Sequence, residues 1–164
     1  MRAKTRITVI TGSIGAGKTT RANSYRKQAE RAAGILAFGV FERGAKTGYE
    51  AQSITTGERR RLLCTHQDGG FLPVGKYFMD PEVFKWANNE ILCGTDAPMI
   101  VIDELGPLEL EKQGYYDAAN TLVRTYSGEL VLVLRSNLVE RMLHLLGLDF
   151  NRIHIIPVTG KERV

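Results

Sequence analysis

The stretch Gly12-Ser13-Ile14-Gly15-Ala16-Gly17-Lys18-Thr19 fits G-x-x-x-x-G-K-[ST], and it lies between the apolar run Ile7-Thr8-Val9-Ile10 and a helical pattern that opens at Lys18. A glycine-rich turn in that setting commits the chain to a strand, a phosphate-binding loop and a helix, in that order. Its glycines let the backbone wrap an anion closely, so that successive N–H groups and the positive end of the helix converge on it. The residues expected to hold a nucleotide are therefore Gly12, Ser13, Ile14, Gly15, Ala16, Gly17, Lys18, Thr19 and Thr20. Lys18 is expected to reach the β and γ phosphates and the Thr19 hydroxyl to ligate Mg²⁺.

Such a loop needs an acid at the end of a neighbouring strand to hold the metal. The apolar run Met99-Ile100-Val101-Ile102 ends in Asp103-Glu104, which makes Asp103 the expected metal-side acid. Glu104 bears on the chemistry, because a carboxylate beside the γ phosphate can orient and deprotonate a water. Ligands of parallel sheets bind outside the carboxyl ends of the strands, and two arginines follow strand patterns there. Arg43 comes after the second strand and Arg135 after Leu130-Val131-Leu132-Val133-Leu134; either could steady transition-state charge, and either could serve as a surface ion-pair residue. Ser136 or Asn137 could touch the γ phosphate from the same strand end, with helix capping the plainer role for Asn137.

Periodicity places these residues in an α/β fold, a mostly parallel sheet flanked by helices with an inserted β-hairpin, in a single domain over residues 1–164. The first helix is expected from Lys18 into the Arg31 region, and Gly34 opens a second strand, Ile35 to Phe41. Tyr49 to Ile54 and Arg59 to Leu63 flank Thr55-Thr56-Gly57 as an antiparallel hairpin. Asp80-Pro81 reads as a cap with proline at the first helical position, followed by Val83, Phe84, Ala87 and Ile91 on one face. Tyr115, Ala119, Leu122 and Tyr126 mark another helix, and Asn137 is expected to cap one carrying Leu138, Met142 and Leu145 before Gly147. A last strand runs from Ile153 to Val158, and the five long strands are expected to share one sheet.

Composition narrows the class without choosing a ligand. Hydrophobic residues at 43% and charged residues at 24% are an ordinary globular mixture with nothing in it that suggests disorder or low complexity. No apolar run reaches membrane-spanning length, and the basic start Met1-Arg2-Ala3-Lys4 leads into a strand pattern, so a cytoplasmic protein is expected. A net charge of +4 suits a polyphosphate binder as well as a nucleic-acid binder. Arg59-Arg60-Arg61 would alternate faces on a strand with no aromatic platform beside them, which reads as a solvated face and makes nucleic acid an unfavoured partner. Cys64 and Cys93 have no C-x-x-C pairing, and His66, His144 and His154 have no metal-ligand spacing, so buried or incidental roles are expected.

With the phosphate loop, Val101-Ile102-Asp103-Glu104-Leu105-Gly106-Pro107-Leu108-Glu109-Leu110 resembles the D-E-[IL]-G-P-[ML]-E-L signature of the cancer-related and thermophilic nucleoside-triphosphatase family. Val74-Gly75-Lys76-Tyr77 and the stretch from Phe41-Glu42-Arg43 to Gly48-Tyr49 are similar to two further segments of it. The second is shortened here, with Lys46 where an arginine is expected. The resemblance implies a P-loop fold of the additional-strand type and Mg²⁺-dependent hydrolysis of several nucleoside triphosphates to diphosphate and phosphate. It assigns phosphate, metal and water-activating roles to Lys18, Thr19, Asp103 and Glu104, and it marks Glu109, which also reads as a helix-start carboxylate. A nucleotide kinase and a nucleotide-dependent switch for a protein partner are the alternatives. No N-K-x-D segment reads guanine, and the loop Pro157 to Lys161 is the expected neighbour of the base.

Overall fold

The computed structural model describes residues 4–160, so residues 1–3 and 161–164, with Lys161 of the expected base loop among them, lie outside the described residues. In chain order the elements are β1 (Arg6–Gly12), α1 (Lys18–Tyr25), β2 (Ala32–Glu42), β3 (Ala45–Ser53), β4 (Arg59–Cys64), β5 (Leu72–Val74) and β6 (Tyr77–Met79). There follow α2 (Pro81–Leu92), β7 (Met99–Leu105), α3 (Pro107–Leu110), α4 (Tyr116–Thr125), β8 (Glu129–Arg135), α5 (Val139–Leu145) and β9 (His154–Val158).

All of these strands join one sheet in the order β5-β6-β4-β3-β2-β7-β8-β1-β9. The run β2-β7-β8-β1-β9 is parallel, and the run from β2 out to β5 is antiparallel. Strand β8 separates β1, which leads into the phosphate loop, from β7, which carries Asp103; that interposed strand is the additional strand of the α/β fold expected from the sequence.

The parallel strands are buried on both faces, and alternation sorts their side chains. Leu130, Leu132 and Leu134 of β8, with Ile100 and Ile102 of β7, join the core under α2, α4 and α5. Val131 and Val133, with Met99 and Val101, face the other way onto Ala22 of α1. Helix α2 begins as the sequence indicated: Asp80 accepts from the Glu82 amide, Pro81 opens the helix, and Val83, Phe84, Ala87 and Ile91 are its buried residues.

Several expectations shift. Helix α1 stops at Tyr25, and a 3₁₀ turn over Arg26–Gln28 followed by a bend over 29–31 takes the span expected to remain helical. Gly34 lies inside β2 at φ 108°, and a Cβ there would sit 2.0 Å from the Val101 carbonyl oxygen, so the close approach of β2 to β7 requires glycine. Strand β2 pairs with β7 only as far as Ile35 with Ile102; beyond that it continues as one arm of a long hairpin with β3. Asn137 does not cap a helix: it falls in a 3₁₀ turn, Ser136–Leu138, and α5 starts at Val139 with no side-chain cap bond. Neither cysteine is buried. The arginines of β4 do meet aromatic rings, Arg59 over Phe38 at 4.4 Å and Arg60 over Trp86 at 4.5 Å, while both remain exposed. No helix among the described residues is long and apolar enough to cross a membrane.

Candidate active site

The phosphate loop joins β1 to α1 at the carboxyl edge of the parallel strands. Gly15 and Gly17 hold φ of 76° and 96°, left-handed values that other residues adopt at a cost of about 1 kcal/mol or more. A Cβ at either would meet nothing within 4 Å, so these glycines serve backbone shape and leave open space where phosphate oxygens would lie. Lys18 is only 6% exposed and folds back so that its Nζ donates to the Ser13 carbonyl at 2.7 Å. Burial lowers its pKa, Glu104 and Asp103 oppose that, and Arg135 and Lys46 add to it. The cations and acids of three separate strands, β3, β7 and β8, therefore act on one ammonium group.

Asp103 is fully buried at the end of β7. Its Oδ2 accepts from the Ala37 amide at 2.9 Å, and its Oδ1 has no partner. Burial pushes its carboxyl up to about 7, against the pull of the Ala37 amide and the Thr19 hydroxyl; Glu104 adds to the rise and Lys18 opposes it.

Glu104 occupies the left-handed region at φ 63°. The pairing of β7 with β8 breaks register between Ile102 and Leu105, so Asp103 and Glu104 form a bulge. Bulges re-aim side chains at sheet edges, and a non-glycine residue at such a φ stores strain that a site can use. Asp103 thereby faces the Thr19 side while Glu104 stays half-exposed beside it. Among the described residues, the ion pairs are surface pairs, and none involves Lys18, Asp103, Glu104 or Arg135.

Arg135 ends β8 directly opposite Gly12, the first residue of the loop, and is half-buried. Arg43 is placed differently. With Gly44 it forms the two-residue turn of the β2–β3 hairpin, both at positive φ, and it is exposed. Counting from Ala37, an extended strand carries that turn about 20 Å outward. Lys46, on the returning arm, is the hairpin cation whose charge bears on Lys18; its Nζ donates to the Tyr49 hydroxyl at 3.0 Å. The basic position in the resembled stretch was the one signal for it in the sequence. Ser136 and Asn137 are exposed past the end of β8, and Thr20 is exposed on α1.

A cavity of about 370 Å³ opens from Asp103, Glu104 and Arg135 away from the loop, and none of residues 12–19 line it. A larger one, about 620 Å³, lies among Lys4, Arg6, Arg124 and His154 at the opposite edge of the parallel strands. Ligands of such sheets bind at the carboxyl edge, so position outweighs size.

A family model described as NTPase matches residues 7–163. The chain belongs to this family of NTP-hydrolysing enzymes. It is 29% identical over 138 residues to nucleoside-triphosphatase THEP1 of Pyrococcus abyssi, covering 80% of this chain and 75% of that protein. It is 24% identical over 158 residues to nucleoside-triphosphatase THEP1 of Archaeoglobus fulgidus, covering 94% and 92%. The solution structure of a human cancer-related nucleoside triphosphatase superposes with a TM-score of 0.71 at 21% identity, over 96% of this chain and 91% of that one. The crystal structure of THEP1 from the hyperthermophile Aquifex aeolicus gives 0.68 at 21% identity, over 96% and 92%. These two likenesses carry the fold of this NTPase, and its matched residues include the phosphate loop, Asp103 and Glu104.

Proposed function

We propose that this NTPase hydrolyses nucleoside triphosphates to diphosphate and phosphate, with Glu104 orienting and deprotonating the attacking water. The observation that carries the reading is the bulge that holds Glu104 at φ 63°, beside a buried Asp103 and among the charges acting on Lys18. A strained acid at that place is explained by a task that needs its carboxylate aimed there.

Thr19 and Asp103 are the residues that would hold Mg²⁺. Both offer oxygen donors, which suit a hard cation, and Oδ1 of Asp103 is buried without a partner. Among the described residues no group of three His, Cys, Asp or Glu could hold a metal ion by itself. When bound, Mg²⁺ supplies neutralising charge on the β and γ oxygens.

The chain's own residues account for the remaining steps. The amides of the loop bind the phosphate oxygens, and Lys18 exchanges the Ser13 carbonyl for the β and γ phosphates. Glu104 accepts a proton from water in line with the γ phosphate, and Arg135, beside Gly12, steadies the charge that develops there. Use of several nucleoside triphosphates is what the family resemblance implies.

The test is Mg²⁺-dependent phosphate release from ATP, GTP, CTP and UTP by the unmodified chain and by Glu104→Gln. The variant is expected to keep nucleotide binding and lose about 10²- to 10⁴-fold in turnover. Unchanged release in Glu104→Gln would remove Glu104 from the chemistry.

A further inference from the structure

The cavity that opens from Glu104 runs across the sheet into its antiparallel wing, and it ends there among cations. Its lining passes from Glu104 of β7 and Ala37 of β2 to Tyr49 of β3, Leu63 of β4 and Tyr77 of β6. In the sheet order this is four strand steps, about 19 Å at the usual spacing. At the far end Tyr49 and Tyr77 meet edge to face, with ring centroids 5.8 Å apart. Each of these rings carries a lysine: Nζ of Lys46 lies 4.6 Å from the Tyr49 centroid, and Nζ of Lys76 lies 5.2 Å from that of Tyr77. Lys46 comes from the returning arm of the β2–β3 hairpin and is fixed by its 3.0 Å bond to the Tyr49 hydroxyl. Lys76 stands in the turn between β5 and β6, after Gly75 at φ 58°, and itself lines the cavity.

Charge and shape together indicate what kind of ligand. Lys76 is exposed and Lys46 half-exposed, so a solute can approach both. Among the described residues neither forms an ion pair. A tyrosine face attracts an ammonium group but has no net charge to cancel it, so two positive charges remain at one wall. Of the acids on the lining, Asp103 and Glu109 are buried and Glu104 stands at the β7 end, so none answers the lysines. Two unanswered ammonium groups match a dianion, and a phosphate monoester carries about 1.5 to 2 negative charges at neutral pH where a carboxylate carries one. The rest of the wall is apolar, with Leu63, Val74 and Phe84 beside the two tyrosines, and such walls favour a flat ring. At about 370 Å³ the cavity lies near the small end of ligand pockets, roughly 300–1,000 Å³, which suits one ring system.

We propose that this cavity is a second small-molecule site, which takes the phosphate monoester of a flat aromatic molecule, its ring against Tyr49, Tyr77 and Phe84 and its phosphate held by Lys76 and Lys46. The site is distinct from the phosphate loop, none of whose residues line the cavity. Its occupancy does not depend on the role given to Glu104 in hydrolysis.

Titration calorimetry with naphthyl phosphate tests the site on the whole chain, after the same method has shown saturation with Mg²⁺ and a non-hydrolysable ATP analogue, so that the phosphate loop is filled. One equivalent of naphthyl phosphate is expected to bind. Naphthol keeps the ring and inorganic phosphate keeps the anion; each is expected to bind about tenfold more weakly or worse, and naphthoate, with its single charge, about threefold more weakly. Lys76→Ala removes an exposed side chain, so its melting temperature should stay close to that of the parent. Its affinity for naphthyl phosphate should nevertheless drop about fivefold or more, and Lys46→Ala should lower it in the same direction, while naphthol binds both variants as it binds the parent. Absence of naphthyl phosphate binding, or unchanged affinity in both lysine variants, overturns the site. Naphthol binding as tightly would reduce it to an apolar hollow, and phosphate or naphthoate binding as tightly would remove the aromatic phosphate monoester as its ligand. Binding that appears only when the ATP analogue is left out would place the probe in the phosphate loop and overturn the proposal as well.

Discussion

The Ala37 amide donates to Oδ2 of Asp103 at 2.9 Å, just beyond the last ladder pair of β2 with β7, Ile35 with Ile102. The bond fixes one oxygen of a fully buried carboxyl and leaves Oδ1 free, so that the end of the β2–β7 ladder also orients the acid expected to face the metal.

Asp103→Asn keeps an oxygen for the Ala37 amide and removes a charge that burial disfavours, the origin of the rise of its carboxyl to about 7. The variant's melting temperature is therefore expected to match or exceed that of the parent. Its Mg²⁺ affinity, read from magnesium titration of nucleotide binding, should fall about 10- to 100-fold. A variant that melts lower and binds Mg²⁺ equally well would make Asp103 a structural acid.

Glu104 is held at φ 63°, where a residue with a Cβ costs about 1–2 kcal/mol. Glycine relieves that cost, so Glu104→Gly should raise thermal stability while phosphate release falls at least as far as in Glu104→Gln. Loss of stability in the glycine variant would mean that the Glu104 side chain supports the bulge instead of being strained by it.

Arg135 and Arg43 were indistinguishable as residues following strands, and the structure separates them. Arg135 pairs opposite Gly12, whereas Arg43 turns the β2–β3 hairpin with Gly44. Arg135→Ala is expected to lower kcat about 10²- to 10³-fold with KM little changed, the pattern for a group that acts on transition-state charge. Arg43→Asn should leave both constants unchanged and raise stability by a few tenths of a kcal/mol, because asparagine tolerates positive φ in a two-residue hairpin turn. Equal losses of kcat in both variants would return the hairpin tip to the site.

What the sequence disclosed and what it withheld divide along physical lines. The phosphate loop, the strand ending in Asp103 and the cap at Asp80 are local: spacing and residue type determine them, and Gly15, Gly17 and the Asp80–Glu82 bond sit where they were expected. The long β2–β3 arm was hidden because a strand that pairs first parallel and then antiparallel reads as one apolar run. The approach of Lys46 to Lys18 depends on that arm, and so does the Ala37 bond to Asp103. Asn137 has the chemistry of a cap, but tertiary packing set a 3₁₀ turn there. Glu109 and Tyr115 read as a helix-start acid and a core aromatic; only the cavity joins them.

Glu109 also makes stability depend on pH with a definite sign. Burial raises its carboxyl from an ordinary value of 4.5 to about 8, so the fold prefers the protonated form more strongly than the unfolded chain does. That preference is fully present below about pH 4.5 and is lost as pH rises through about 8. It is worth on the order of a few kcal/mol across the window. Asp103, raised to about 7, acts in the same direction over a lower range. The nucleotide-free protein should therefore lose stability between about pH 5 and pH 8, and Glu109→Gln, which cannot titrate, should lose less. The difference in melting temperature between the two proteins, followed from pH 5 to pH 8.5, isolates the group from every other carboxylate. If that difference stays constant, Glu109 ionises no less readily in the fold than in water, and its unpartnered oxygen must then find a hydrogen-bond donor that the present geometry does not supply.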